Sequence, residues 1–74
     1  MNRLHAYPKL SPRQLEFYDL LVSETHVKHI ANALGVTVRG VKFQAGCIYS
    51  ATKVTSRYQL IIKHYQNEIA RLAA

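Results

Sequence analysis

Seventy-four residues make one small domain with a modest core, and 49% hydrophobic residues with three glycines and two prolines exclude a disordered or fibrous chain. No apolar run is long enough to span a bilayer, and a single cysteine, Cys47, excludes a disulfide framework. Ten Lys and Arg against four Asp and Glu give a net charge of +6 and an isoelectric point of 9.8, which points to polyanionic partners.

The charge is unevenly placed. The carboxylates are Glu16, Asp19, Glu24 and Glu68, so the window Thr25 to Asn67 has none, while it carries Lys28, Arg39, Lys42, Lys53, Arg57 and Lys63. Ahead of that window, Met1 to Lys9 has no periodicity and is read as a flexible arm, with 10–74 as the folded domain. The arm has no apolar run of the kind that opens a secretory signal, which predicts a cytoplasmic protein.

The first helix announces itself at Leu10-Ser11-Pro12-Arg13-Gln14. Ser11 is the expected N-cap, Pro12 occupies the first helical position, where its missing N–H costs nothing, and Gln14 completes a capping box. Phe17, Tyr18, Leu20 and Leu21 supply its apolar stripe; Leu15 lies off that stripe and is expected at the surface. Ser23-Glu24-Thr25 closes this helix and opens a second, with Thr25 as its expected N-cap and apolar residues spaced i, i+3, i+4, i+7 through Val27, Ile30, Ala31 and Leu34. His26 and His29 fall on it, but transition-metal sites need three or four ligands and no Cys, Asp or Glu cluster accompanies the pair, so both are read as surface histidines.

After the turn at Gly35 comes a third helix, Thr37 to Lys53, with two faces of opposite character. At 100° per residue Val38, Val41, Ala45, Ile48, Tyr49 and Thr52 share one side, suited to a core. Arg39, Lys42, Phe43, Gly46, Ser50 and Lys53 share the other, which carries three cations, no carboxylate and a centre free of side-chain bulk. Two helices joined by a glycine turn form a helix-turn-helix pattern. Ser56 then caps a fourth helix, Arg57 to about Arg71, whose stripe of Tyr58, Ile61, Ile62, Tyr65, Ile69 and Leu72 has heptad-like spacing, with Leu60 on the far side. The stripe is expected to cover the core with its first turns and, being too long for so small a unit, to meet a second subunit with the rest.

The run Leu10-Ser11-Pro12-Arg13, Glu16, Leu20-Leu21, Ile30-Ala31, Leu34-Gly35-Val36-Thr37, Val41-Lys42, Ile48-Tyr49, Val54 and Ser56-Arg57 resembles the C-terminal DNA-binding domain of the LuxR/GerE/NarL family of bacterial regulators. With the fourth helix the likeness covers about four fifths of the chain, and the short arm is similar to that of the stand-alone, GerE-like members. It implies an all-α, four-helix helix-turn-helix domain whose third helix enters the major groove and whose fourth pairs two copies on an inverted repeat. Groove-facing positions fall on Lys42, Phe43 and Gly46, and phosphate contacts around Thr37, Gln44 and Arg57. The chain departs from the family pattern at Gly40, Gln44, Gly46, Cys47, Ser50 and Ala51, and each of the two glycines weakens the helix by about 1 kcal/mol relative to alanine.

Two functions follow as expectations. In one, a homodimeric transcriptional regulator reads base edges with Arg39, Lys42, Phe43 and Gly46, holds phosphates with Thr37, Gln44, Lys53 and Arg57, and dimerises through Tyr58, Ile62, Tyr65, Ile69 and Leu72 on double-stranded DNA. In the other, the same fold is a protein-binding module that contacts another regulator or RNA polymerase through Phe43, Gly46, Cys47 and the fourth-helix stripe. No nucleophile with its base, metal cluster or phosphate-cradling loop is spaced for catalysis, so neither an enzyme nor a cofactor is expected, and Cys47 has no activating neighbour.

Overall fold

A computed structural model describes residues 9–23 and 25–73, which form four helices and, among the described residues, no strand. The helices are α1 (Pro12–Val22), α2 (Val27–Leu34), α3 (Val38–Thr52) and α4 (Arg57–Ala73). Apart from Lys9, the expected arm lies outside the described residues, as does Glu24. None of the described helices is long and apolar enough to cross a membrane.

The start of α1 follows from its first residues. Ser11 Oγ accepts from the Gln14 N–H at 3.1 Å while Gln14 Oε1 accepts from the Ser11 N–H at 3.1 Å, a reciprocal capping box with Pro12 just inside it. The helix then buries more than one stripe. Leu15, expected at the surface, is only 7% exposed, because Leu15, Tyr18 and Val22 form a second row, at i, i+3 and i+7, beside Phe17 and Leu21. Helices α2, α3 and α4 all pack against α1, so it needs an apolar face wider than one stripe, while Arg13 and Glu16 stay exposed.

The N-cap of α2 is one residue later than the sequence suggests. His26, with extended backbone, accepts the Lys28 N–H at its Nδ1 (3.1 Å). Thr25 instead belongs to the end of α1: its N–H donates to the Leu20 carbonyl at 3.2 Å and its hydroxyl pairs with Ser23 at 2.9 Å. Gly35 then takes the left-handed conformation (φ 67°) that lets the chain turn, and the next N–H, from Val36, reaches back to Ala31 O at 2.9 Å. Helix α3 ends in the same way, with Lys53 left-handed at φ 61° and the Val54 N–H on Tyr49 O at 2.9 Å. At both ends the following valine, Val36 or Val54, packs against the core.

The core joins Leu10, Leu15, Phe17, Tyr18, Leu21 and Val22 to Ile30 and Ala31 of α2, Val41, Ala45 and Ile48 of α3, and Leu60 of α4. Thr52 is buried too, its hydroxyl donating to Ile48 O at 2.8 Å. The core face expected for α3 is thus the buried one, except at its first turn, where Val38 is exposed. The radius of gyration, 12.0 Å, is near the roughly 11 Å of a compact chain this long.

Helix α4 departs most from the sequence reading. Ser56 caps it, accepting the Gln59 N–H at 3.2 Å. But Leu60, placed on the far side, is the residue that enters the core, at 0% exposure, whereas Tyr58, Ile62, Tyr65, Ile69 and Leu72 all face out. The stripe is therefore not a lid over the other helices. The spacing 58, 62, 65, 69, 72 alternates four and three, the seam of a coiled coil, and Leu60 lies nearly opposite it on the helix.

Candidate nucleic-acid interface

The expected outward face of α3 is outward. Arg39, Lys42, Gly46 and Ser50 are exposed, and Phe43 is 68% exposed, large for an aromatic with no neighbour covering it. Thr37 starts the helix, its Oγ1 accepting the Gly40 N–H at 3.0 Å, and Lys53 ends it with its side chain exposed. Lys42, Phe43, Gly46, Cys47 and Ser50 line one shallow, open depression along this face. A Cβ placed on Gly46 would meet nothing within 4 Å, whereas one on Gly40 would press on Thr37 Oγ1 at 3.3 Å and Val36 Cβ at 3.6 Å. Gly40 therefore has an internal packing reason, and Gly46 has none.

Two of the expected phosphate ligands sit differently. Gln44 is half-buried, and its Oε1 is enclosed without a hydrogen-bond partner among the described residues. Arg57 points inward: its Nε donates to Leu21 O at 2.8 Å and its Nη2 to Leu20 O at 3.2 Å and Thr25 O at 2.6 Å. Leu20 and Leu21 lie in the last turn of α1, where carbonyls lack intrahelical partners, and Thr25 lies just beyond it. Burial pushes the Tyr49 phenol above its usual pKa, opposed by the positive charge of Arg57.

Two other cations do the same for the next two helices. Arg13 of α1 donates through Nη2 to Leu34 O, the last carbonyl of α2, at 2.6 Å, while its Nη1 pairs with Glu16 at 2.8 Å and its guanidinium lies over the Phe17 ring. Lys63 of α4 donates to Thr52 O, the last carbonyl of α3, at 2.7 Å. So α1, α2 and α3 each end against a cation from another helix, where the helix dipole favours positive charge. No spacing in the sequence links Lys63 to Thr52 or Arg57 to Leu21, so pattern alone does not find these pairs.

That leaves Lys28, Arg39, Lys42 and Lys53 as the exposed cations of the carboxylate-free window. At the far end of α4 Glu68 pairs with Arg71, whose hydrogen bond holds its carboxyl below the usual range. Another contact missed in the sequence is Tyr18, 1% exposed, whose hydroxyl meets His64 Nδ1 at 2.9 Å. His64 follows Leu60 by one turn, so reading Leu60 as core would have found it.

The seam on α4 forms a second exposed surface: Tyr65, Ile69 and Leu72 are 51%, 66% and 80% exposed. Five large apolar side chains on one face of one helix are more than the scattered single residues an ordinary surface carries. Comparison with family models, with curated proteins and with solved structures finds no match for this chain.

Proposed function

We propose that this protein is a sequence-specific DNA-binding transcriptional regulator of the LuxR/GerE type, with α2, the Gly35 turn and α3 as its helix-turn-helix, acting as a homodimer on an inverted repeat. The observation that carries this reading is the outer face of α3, where exposed Arg39 and Lys42 flank exposed Phe43 on a helix without a single carboxylate. An α-helix fits the major groove of B-DNA, and cations on its outer side meet both guanine edges and phosphates. Lys42 donates to a guanine, Arg39 serves the neighbouring base or phosphate, Phe43 lies against a thymine methyl, and Thr37 and Lys53 contact phosphates. The inward bonds of Arg57 give it a supporting part: it fixes α4 to the end of α1.

Titrating salt against binding to random duplexes and to the DNA upstream of the coding region tests this directly. Affinity should fall steeply with salt on both, from a higher start on the specific site. Binding that is absent at low salt, or indifferent to salt, rejects the reading. Lys42→Ala should weaken specific binding by about 1–3 kcal/mol and relax preference at one base pair of each half-site, with little effect on random DNA. Equal loss on both kinds of DNA removes Lys42 from base readout.

A second reading keeps the fold as a protein-binding module, and the exposure of Phe43 beside Gly46 and Cys47 is what favours it. It predicts capture of another regulator or RNA polymerase by a chain that binds no duplex.

A further inference from the structure

We infer that the depression at Gly46 is a methyl-reading site, which receives the C5-methyl group of a thymine and sets the half-site's preference at that base. This rests on the DNA reading above and specifies its ligand. Nothing inside the chain requires glycine at position 46, since a Cβ there meets no atom within 4 Å. An interior glycine nevertheless weakens a helix, so the gap has its use against something outside the chain. The gap is bounded by the Phe43 ring, Cys47, the Lys42 stem and Ser50. Its floor is mostly apolar, and the space left by the missing Cβ at its centre is that of one methyl group.

The surrounding charge says what carries that group. Arg39 and Lys42 are exposed on the same helix and no carboxylate lies between Thr25 and Asn67, so the complementary partner is an anion. An apolar, methyl-sized group on a polyanion, presented in a groove wide enough for α3, is the thymine methyl, which major-groove readers contact through apolar side chains. A side-chain Cβ at position 46 would occupy the space the methyl needs.

Duplexes enriched by the wild-type protein from a randomised pool provide the probe. Each enriched duplex is remade with uracil for thymine, position by position, which deletes the methyl and keeps every hydrogen-bonding group. Uracil at the one sensitive position should lower affinity about fourfold for each half-site so changed, the worth of one buried methyl. Gly46→Ala should bind the thymine duplex as weakly and no longer distinguish it from the uracil one. A melting temperature at or above wild type shows that this variant is folded, and the uracil series tests the site without any variant. Equal wild-type binding of thymine and uracil at every position overturns the inference and leaves the DNA reading standing. No enrichment, with no salt-dependent binding to random duplex, overturns both, and a protein side chain is then the occupant.

Discussion

Arg57 shows how one side chain can look like a ligand in sequence and act as a tie in three dimensions. It is a cation in a basic window at a position that the family resemblance gives to phosphate, yet its donors meet Leu20, Leu21 and Thr25 carbonyls. Arg57→Ala should lower the unfolding free energy by about 1.5–3 kcal/mol, the scale of a hydrogen bond to a charged group, because the carbonyls around the end of α1 lose their bonds to the guanidinium. Urea unfolding measures this. An unchanged midpoint together with a shallower salt dependence of DNA binding would return Arg57 to the phosphate-contacting set. Residues such as Ser11, Pro12 and Gln14 were legible because a cap is a local arrangement within a few residues. Arg57, Lys63 and Arg13 were not, since their partners are set by how helices cross. The Thr25 to His26 shift is a subtler case: both side chains can accept a backbone N–H, and the outcome turned on Thr25 being held by the end of α1.

At the scale of the element, α4 separates two ideas that a hydrophobic stripe merges. Periodicity detects an apolar face and is blind to whether that face meets its own chain or another. Here the larger face, Tyr58 to Leu72, is exposed, and Leu60 on the opposite side is the buried apolar residue of the helix, beside the polar ties of Arg57, Lys63 and His64. Leu60→Ala should therefore cost about 2–5 kcal/mol and leave α4 poorly attached, while Ile62→Ala, at the exposed seam, should leave the unfolding free energy of the monomer within about 0.5 kcal/mol of wild type. Urea unfolding at low protein concentration compares the two; similar losses would mean that the seam packs within the chain after all. Helix α3 was far more legible, because its polar and apolar faces differ in chemistry, and the same holds for the mixed surface around Phe43. The burial of Leu15 could not be read from α1 alone, since it follows from three helices converging on it.

For the whole molecule, an exposed coiled-coil seam on a chain of 74 residues favours a second copy. Replacing Tyr65 and Ile69 with polar residues should give a folded monomer where the wild type sediments as a dimer at micromolar concentration. Two copies related by a two-fold axis would suit half-sites about one helical turn, ~34 Å, apart. With Lys28, Arg39 and Lys53 as the exposed window cations besides base-reading Lys42, each copy should contribute a log–log salt slope of up to about −2.7 from them, so the monomeric variant should show about half the wild-type slope. A wild type that stays monomeric with and without DNA would reject the pairing. The number, order and approximate ends of the helices followed from caps, glycine and periodicity; the inward use of Arg57 and Lys63 reduces a charge count that composition alone overstates.

The matching turns after α2 and α3 set one position against two demands. Gly35 adopts its left-handed backbone freely, while Lys53 holds the same conformation against the clash of its own Cβ. Lys53→Gly should raise thermal stability by up to about 1 kcal/mol and lower affinity for every duplex alike. A melting curve and a binding isotherm on random DNA check the two halves, and undiminished binding would show that Lys53 contacts no phosphate. If both hold, selection for heat resistance alone would drive this position to glycine, and keeping the lysine is a compromise between backbone strain and positive charge at the end of α3.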